Sequence, residues 1–444
     1  MAQKSLQIGT LTTPMYCLNL AGSRHLIMAG GGGVAKTGVR NEIQLRSRRN
    51  NGCKERTWLL SYNTDISQAP SSGPQNSAIL RDAGCVDTGP HSTMNMDVVP
   101  MSTGHPDHEG RFLIATSHDH FCDIYETDGY EVIEKEDEPD VLGLTQRHVA
   151  RFETVFDVNK KNDKYQKGVK FAPVGGSYRL VTAGSDGFVR TWSVDDIIRL
   201  QDRVRPLRQW SVAEGEVADL EVSGDGRLIF TITGKDVKIW DMEGQLLKDV
   251  RTPEGYTPRC VRFTNRDRNP ERDNIFFAVA YNPTVQRGKQ VTRLFRWVFS
   301  QSRSEIGLVS STDVLAERIS KISVQKGGKW IAVGLMEGSV VVYRTDDLKA
   351  VKTMKNSHRT FITDLQVLPE RTEDFPQLAA ALNMRWIPGP HSEAEVGVVS
   401  IGGDQTVQLH SVPYDNMPSI AFAVVLSFIL MLICPLIVAL LLKL

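Results

Sequence analysis

LVTAGSDGFVRTWSV, running from Leu180 to Val194, shows most clearly the pattern from which the fold is predicted. It consists of an apolar strand, a turn of Ser, Asp and Gly, and a second strand that contains Trp192 near its end. Glycine and aspartate favour tight turns, whereas β-branched and aromatic residues favour strands. LIFTITGKDVKIWDM, from Leu228 to Met242, repeats this order and places Trp240 at the matching point. Two copies of one hairpin indicate a repeat protein built from β-strands.

Looser copies of the hairpin extend the repeat along the chain. They begin at Leu26, Phe112, Phe276, Trp330 and Gly397. The positions equivalent to the repeat tryptophan are Leu45, Tyr125, Trp192, Trp240, Trp297, Tyr343 and His410. We therefore predict an all-β fold, a seven-bladed WD-repeat β-propeller whose four-stranded blades bury their apolar faces by stacking on one another. An open solenoid is the alternative architecture, because the strands before Leu26 are weakly patterned and leave ring closure open.

The composition narrows the classes of function. The 444 residues carry 52 Lys and Arg against 52 Asp and Glu, which gives a formal net charge of zero. Nucleic-acid binding needs an excess of cationic side chains against phosphate, so no nucleic-acid partner is expected. The six cysteines form no CxxC pair and no disulfide framework, and we predict that they are reduced thiols.

The C-terminal end departs from this soluble pattern. Residues 420–442 read IAFAVVLSFILMLICPLIVALLL and contain no charged side chain. A helix of this length reaches roughly 34 Å, enough to cross a hydrocarbon core of about 30 Å. We predict a cytosolic propeller over residues 1–413, a juxtamembrane linker over 414–419, a transmembrane helix over 420–442 and a lumenal end at 443–444. The N-terminus lacks the apolar run of a signal peptide, so the protein is expected to be tail-anchored with the propeller facing the cytosol.

The first unit contains an unusual glycine-rich segment. GGGGVAKTGVRN, from Gly30 to Asn41, stands where the other units have a recognisable hairpin turn. Successive glycines restrict the backbone little, so its amide and carbonyl groups can be presented to a ligand. The segment nearly matches a nucleotide-binding P-loop, with Ala35 where that motif requires glycine. A P-loop is followed by a helix, whereas NEIQLRS, from Asn41 to Ser47, is interpreted as a returning strand. A long hairpin loop without a function is the other interpretation.

Two polar insertions are predicted to be surface loops. They read YNTDISQAPSSGPQNS from Tyr62 and GYEVIEKEDEPD from Gly129. Neither is assigned a function.

No catalytic or metal site is predicted elsewhere. Four histidines, His105, His108, His118 and His120, are interpreted as polar turn residues rather than zinc ligands. No GxSxG, HExxH or kinase motif set occurs, so no catalytic constellation and no small-molecule substrate are expected.

Four features together resemble the prolactin regulatory element-binding protein family. They are a repeat body with GGGGVAKTGVRN in its first unit, STMN at Ser92 to Asn95, AGSDGFVRTW at Ala183 to Trp192, and one C-terminal span. The family comprises the endoplasmic-reticulum guanine-nucleotide exchange factors for the small GTPase that starts COPII coat assembly. The resemblance implies that this chain promotes GDP release and GTP loading on that GTPase, at the endoplasmic reticulum membrane and without covalent catalysis.

The resemblance also implies which residues act. The exchange loop would comprise Gly30, Gly31, Gly32, Gly33, Val34, Ala35, Lys36, Thr37, Gly38, Val39 and Asn41. In this interpretation Val39 meets an apolar part of the GTPase, Asn41 holds the loop base, and Lys36 meets an acidic switch or magnesium-binding residue. No cofactor is required, and a potassium ion held by backbone carbonyl groups of the same loop is an optional ligand whose contacts are unassigned.

A membrane-tethered scaffold without exchange activity is the competing interpretation. Propellers often serve as docking platforms, and a fold alone does not determine a function. Binding to the GTPase that is independent of its nucleotide would favour the scaffold.

Overall fold

The structure, a computed structural model, describes most of the repeat body. The described residues are 5–11, 13–22, 25–32, 57–62, 80–86, 88, 91–101, 110–133, 141–156, 164–264, 273–285, 291–369, 394–413 and 431. Within these ranges the regular structure is nearly all strand. The exceptions are α1 (Val194–Leu200) and a short 3-10 helix at Gln201–Arg203.

The strands follow one another in a regular order. They are β1 (Leu6–Thr10), β2 (Met15–Ala21), β3 (His25–Gly30), β4 (Thr57–Tyr62), β5 (Leu80–Val86), β6 (Thr93–Pro100), β7 (Phe112–His118), β8 (Phe121–Ile133), β9 (Val141–Glu153), β10 (Gln166–Val174), β11 (Ser177–Gly184), β12 (Phe188–Ser193), β13 (Arg208–Ser211), β14 (Asp219–Val222), β15 (Leu228–Thr233), β16 (Asp236–Asp241), β17 (Leu246–Val250), β18 (Tyr256–Phe263), β19 (Asn274–Pro283), β20 (Arg293–Ser300), β21 (Glu305–Asp313), β22 (Ile319–Val324), β23 (Trp330–Leu335), β24 (Val340–Arg344), β25 (Ala350–Met354), β26 (Ile362–Val367), β27 (Val396–Gly402) and β28 (Thr406–Val412).

These strands form antiparallel four-stranded sheets, which we call blades. Among the described residues the sheets are β2–β5, β6–β9, β10–β13, β14–β17, β18–β21, β22–β25, and β26–β28 together with β1, and we number them as blades 1 to 7 in that order. The first strands of successive blades contact one another, and β26 of blade 7 contacts β2 of blade 1. The contacts therefore close a ring. The prediction of an all-β propeller is confirmed, and the open solenoid is wrong.

The ring is closed by the N-terminal strand. β1 pairs with β28, with Leu6 opposite Leu409 and Thr10 opposite Thr406, so it completes blade 7 as the outer strand. Ile8 of β1 is fully buried, in a core that includes Leu26 and Met28 of β3 in blade 1. The strand that closes blade 7 thus also packs against the strand that precedes the glycine-rich segment.

The repeat tryptophans hold their blades together. Trp192 is fully buried and donates its indole N–H to the Thr182 hydroxyl at 2.9 Å, and Trp240 makes the same bond to Thr231 at 2.9 Å. A buried indole needs an acceptor for its N–H, and a threonine on the adjacent strand supplies one. The sequence prediction of equivalent roles for these two residues is confirmed.

The returning strand of the first unit was predicted in the wrong place. β3 pairs with β4, where Leu26 faces Leu60, and Leu180 faces Trp192 in blade 3. Leu60 therefore occupies the repeat tryptophan position that the sequence analysis assigned to Leu45. Residues 41–47 lie outside the described residues, and β4 ends at Tyr62 as the predicted insertion begins.

The second predicted insertion is also corrected. Residues 129–133 belong to β8, which pairs with β9 as far as Ile133 opposite Val141. Strand pairing satisfies the backbone groups that a loop would leave to water, and Tyr130 lies opposite Leu144. Only residues 134–140 of that stretch fall outside the described residues.

The predicted transmembrane helix is not described, apart from Met431. In the part of the chain that the structure describes, no helix has the length and apolar character needed to cross a bilayer. The predicted linker over 414–419 and the end at 443–444 also lie outside the described ranges.

Candidate functional site

The glycine-rich segment leaves blade 1 at an ordinary blade position. In blade 3 the amide of Ser185, just after β11, donates to the carbonyl of Tyr165 at 2.9 Å. In blade 7 Gly403 donates in the same way to Phe361 at 3.0 Å. In blade 1 Gly31 donates to Pro14 at 3.0 Å. The exit of the segment is therefore fixed by the same hydrogen bond that is found in blades 3 and 7.

The connection beyond that exit is exceptionally long. Blade 3 connects its second and third strands through residues 185–187, and blade 4 does so through residues 234–235. Blade 1 uses residues 31–56 for the same connection. Gly33 to Asn41, with the predicted contacts of Lys36, Val39 and Asn41, lie outside the described residues, so these roles stay predictions.

Gly30 has a structural role. A Cβ atom at this position would lie 2.2 Å from the carbonyl oxygen of Pro14. Gly184 and Gly402 end the equivalent strands of blades 3 and 7, where a Cβ would lie 2.7 Å from Val155 and 2.5 Å from His358. We conclude that Gly30 is required by the blade, since glycine recurs at this position in blades without the long connection.

Gly31 is the first residue that belongs to the connection itself. Its φ of +129° is in the region that favours glycine. A Cβ here would lie 3.9 Å from Ser92, in the segment that leads into blade 2. The base of the connection therefore sits beside the STMN motif, in which Thr93 is buried and Met94 is exposed. The sequence analysis singled out this motif without placing it at the base of the loop.

Exposed apolar side chains lie on the same face of the ring as the base of the connection. In an antiparallel blade, the connection from the second to the third strand and the connection to the next blade lie on one face, which we call the loop face. Met94, Tyr165, Met336 and Phe361 occupy such connections or the strand starts next to them, and each is more than 40% exposed. Large exposed apolar side chains gathered on one face are typical of protein interaction sites. No sequence signal predicted this set, because its members come from separate blades.

The central channel carries a belt of paired charges. Lys170 lies 3.7 Å from Asp97 and 3.5 Å from Glu221, and Arg262 contacts Glu221 at 3.5 Å and Asp219 at 2.6 Å. The carboxylate of Asp97 also accepts the backbone amide of Phe171 in the next blade, as Asp219 accepts Val261. Asp219 and Glu221 raise the pKa of the Arg262 guanidinium above its usual range despite burial. This belt joins the inner strands of neighbouring blades.

A buried trio in blade 7 has the residue types of a hydrolase triad. His358 contacts Ser400 at 2.7 Å and Asp404 at 3.0 Å, and Ser400 also contacts His410 at 2.7 Å. Ser400 and His410 are fully buried, so no substrate can reach the hydroxyl. Burial lowers the pKa of His410 to about 3, which keeps it neutral. These hydrogen bonds stabilise the blade. His410, which joins the trio through Ser400, occupies the position of the repeat tryptophan.

Blade 2 contains a second buried polar cluster. Asp123 has no exposed side-chain surface and accepts two hydrogen bonds from Arg151, at 2.7 Å each. These bonds hold the pKa of the Asp123 carboxyl well below its usual range, whereas burial lowers the pKa of His118 to about 4. Asp119 and His120 form the turn and His118 ends β7, so His118 is not a turn residue as predicted. No group of three or more metal-ligating side chains occurs among the described residues, and His105 and His108 lie outside them.

Comparisons with known proteins agree with the resemblance found in the sequence. No family model matches the chain. It is 24% identical over 413 residues to the guanine nucleotide-exchange factor SEC12 of Rattus norvegicus, covering 90% of this chain and 89% of the relative. SEC12 of Mus musculus is likewise 24% identical, over 415 residues with the same coverage. The chain is thus similar to SEC12 over nine-tenths of its length. SEC12 is the family named in the sequence analysis, so that prediction is confirmed.

Proposed function

We propose that this chain is a guanine-nucleotide exchange factor for the small GTPase that initiates COPII assembly. The observation that carries the proposal is the connection of residues 31–56, which replaces a short turn at a rigid blade exit. The similarity to SEC12 over nine-tenths of the chain supports it.

In the proposed mechanism, the exchange factor and GDP compete for binding to the GTPase. The loop face holds the GTPase while the connection from Gly31 to Asn41 enters its nucleotide site, and the complex is more stable without GDP than with it. An exchange protein that binds the nucleotide-free GTPase more tightly than the GDP-bound GTPase must weaken GDP binding. By thermodynamic reciprocity, the affinity for GDP falls by the same ratio. GTP then fills the site and releases the exchange factor.

Within the connection, three side chains carry distinct roles in this proposal. Val39 contacts an apolar part of the GTPase, Asn41 anchors the loop base through side-chain hydrogen bonds, and Lys36 pairs with an acidic residue of a switch or of the magnesium site. The rigid exit at Gly31 supports these roles because it fixes where the connection begins.

A potassium ion is proposed as an optional ligand of the loop. The described start of the connection, Gly31 and Gly32, offers backbone carbonyl groups and no side-chain ligand. Carbonyl oxygens are the donors that potassium accepts in proteins. Exchange that is faster in potassium chloride than in sodium chloride at equal ionic strength would support this ion.

The membrane setting is proposed from the sequence and from the relatives. Residues 420–442 would anchor the protein in the endoplasmic reticulum, with the propeller over residues 1–413 in the cytosol. The anchor would confine activation to one bilayer, where the activated GTPase recruits coat.

The deciding experiment measures release of a fluorescent GDP analogue from the COPII-initiating GTPase, with excess GTP and the full-length protein in detergent. We expect acceleration by the wild-type protein and strong loss with Val39→Asp or Asn41→Ala. Leu246→Asp, an exposed residue at the start of β17 on the face opposite the loop face, serves as the control and should retain the activity. Folded protein that binds the GTPase without accelerating release would favour the membrane-tethered scaffold instead.

A further inference from the structure

The two ends of the long connection in blade 1 are linked by one short stretch of chain. We call the stretch between β5 and β6 the connector, and its described residues are Thr88, His91 and Ser92. At its far end, a Cβ on Gly31 would lie 3.9 Å from Ser92, so the connector flanks the exit of the connection. At its near end, it follows Val86, which lies opposite Thr57, the residue where the connection returns. The connector therefore runs between both ends of the connection.

A single pair of side chains ties the connector to blade 2. Nδ1 of His91 lies 2.7 Å from a carboxylate oxygen of Asp119, and because a carboxylate can only accept, the imidazole N–H donates. The ring of Phe121 packs edge-on against the imidazole, with 4.8 Å between the ring centroids. The Thr88 hydroxyl donates to the His91 carbonyl at 3.4 Å, which extends the hold along the connector. We call the bond between His91 and Asp119 the clamp.

Asp119 is a firm anchor for the clamp. It lies in the turn between β7 and β8 with a φ of +40°, and its carbonyl accepts the amide of Gln166 in blade 3. The carbonyl of the next residue, His120, accepts the amides of Thr154 at 2.9 Å and Val155 at 3.2 Å. The turn cannot shift without breaking these bonds to the chain that enters blade 3. The clamp thus holds the connector against a fixed point of the ring.

A similar pair in blade 7 serves the core of its blade. His358 precedes β26 and lies 3.0 Å from Asp404, in the turn between β27 and β28. Its side chain is fully buried, and its second ring nitrogen contacts Ser400 at 2.7 Å. His91 and Asp119 are instead 23% and 40% exposed. The clamp therefore lies at the surface, beside the long connection.

We infer that the clamp positions the long connection for its action on the GTPase, with His91 and Asp119 acting through the connector. This inference rests on the proposed exchange function and deepens it, because it assigns positioning residues outside the connection itself. Neither side chain is required to contact the GTPase. A segment whose two ends are held in place loses less conformational freedom when it enters a partner, so more of its interaction free energy acts on the bound nucleotide.

The test removes the donor and then restores it. Release of a fluorescent GDP analogue from the GTPase is measured at rising concentrations of the full-length protein in detergent. His91→Ala should lower the maximal rate about 3- to 10-fold, the range expected for one partly exposed, charge-assisted hydrogen bond. The concentration that gives the half-maximal rate should be unchanged, because the loop face still binds the GTPase. His91→Asn keeps an N–H donor near the position of Nδ1 and should restore most of the rate.

A histidine of the same blade supplies the matched control. His148 is 45% exposed on the outer strand β9, and it lies 3.4 Å from the carboxylate of Asp123. His148→Ala removes a comparable pair away from the connector and should keep the wild-type rate. Thermal unfolding of each variant checks that the protein is folded at the assay temperature.

A double-mutant cycle tests whether the two residues act as one unit. Asp119→Gly removes the carboxylate and suits the positive φ, so it should lower the maximal rate as much as His91→Ala does. The double variant should lose no more than either single variant, because both remove the same bond. Gln201→Gly, at a φ of +53° on the opposite face, controls for the added glycine and should be neutral.

Hydrogen–deuterium exchange measures the positioning without the GTPase. The amide of Gly31 donates to Pro14, so its protection reports on the exit of the connection. We expect faster exchange of this amide in His91→Ala and unchanged exchange in His148→Ala.

Other results would overturn the inference. An unchanged maximal rate in His91→Ala, additive losses in the double variant, or no recovery in His91→Asn would show that the clamp does not position the connection. If even the wild type fails to accelerate GDP release, the proposed function is wrong, and hydrogen–deuterium exchange alone then decides whether the clamp positions the connection. Faster exchange of the Gly31 amide in His91→Ala alone would support the clamp, and equal exchange in all proteins would overturn it.

Discussion

The connections between the second and third strands of blades 1 and 3 begin alike and then differ. Each follows a strand that ends in glycine. In each, the first backbone amide of the connection donates to the carbonyl of the residue just before the inner strand, from Gly31 to Pro14 and from Ser185 to Tyr165. Blade 3 returns after residues 185–187, whereas blade 1 returns after residues 31–56. The fold needs only the shorter version. The added length in blade 1 is therefore a separate property, added at an exit that has the same structure in both blades.

The largest effect is expected from giving blade 1 the connection of blade 3. Replacing residues 31–56 by the sequence Ser-Asp-Gly should preserve the ring, because that turn already joins equivalent strands. Exchange on the GTPase should fall roughly 100-fold, toward the rate of the GTPase alone, since the coupling between the two sites is lost. Fluorescent GDP release measures the rate, and thermal unfolding checks the fold.

A matched replacement controls for this change. Exchanging Gly234 and Lys235, the short turn of blade 4, for Asn-Gly should leave the exchange rate unchanged. A loss of exchange in both variants would mean that ring integrity, and not the long connection, carries the activity.

The shared glycine should behave alike in the two blades. Gly30→Ala and Gly184→Ala each force a Cβ into contacts of 2.2 and 2.7 Å, so each should lower the free energy of unfolding by about 1–3 kcal/mol. Gly215→Ala, where a Cβ meets open space, should be nearly neutral. Urea unfolding measures all three variants. A neutral Gly30→Ala would contradict the structural role assigned to this residue.

The blades beside blade 1 should respond to acid more strongly than blade 3. Burial lowers the pKa of His118 in blade 2 to about 4 and that of His410 in blade 7 to about 3. The unfolded chain binds these protons near pH 6.5 and the native chain does not, so stability is lost as pH falls from about 6.5 toward 4. Each histidine contributes up to about 1.4 kcal/mol per pH unit in that range.

The acid response can be assigned with one substitution. His410→Trp places in blade 7 the residue that blade 3 has in Trp192, and it should reduce the pH dependence of the unfolding free energy. An unchanged slope would show that His410 is not a source of the acid sensitivity.

The smallest effect is expected from removing the hydrogen bond between the Trp192 indole and Thr182 in blade 3. Thr182→Val removes the acceptor of the Trp192 indole N–H and should cost about 1 kcal/mol of unfolding free energy. Exchange should be unaffected, because this bond lies in blade 3. Calorimetry and GDP release together test both statements, and a marked drop in exchange would place blade 3 in the active site.

The sequence predicted the repeated elements and failed where the repeat is interrupted. Trp192 and Trp240 were placed correctly because each follows a short turn at fixed spacing. The sequence NEIQLRS resembles a strand and led to Leu45, whereas the structure places Leu60 opposite Leu26. The length of an insertion cannot be read from its composition. The pairing of β1 with β28 could not be predicted from the sequence. The five residues of β1 have no distinctive pattern, and their partner strand lies at the other end of the propeller sequence.

The candidate site was predictable only in part. Glycine enrichment identified the connection, but it could not separate Gly30, which the blade requires, from Gly31, which begins the loop. Met94, Met336 and Phe361 come from different parts of the repeat, and only ring closure brings them to one face. Such a surface has no local sequence signal, because neighbours in space are hundreds of residues apart in the chain.

Pairing of Leu6 with Leu409 also bears on how the protein is made. The first strand must wait, unpaired, until the ribosome has synthesised nearly the whole propeller, and contacts of such long sequence separation form slowly. Until then β1 exposes strand edges that can pair with other chains. A chain that stops short of β28 would therefore be prone to aggregation, because β1 would have no partner strand.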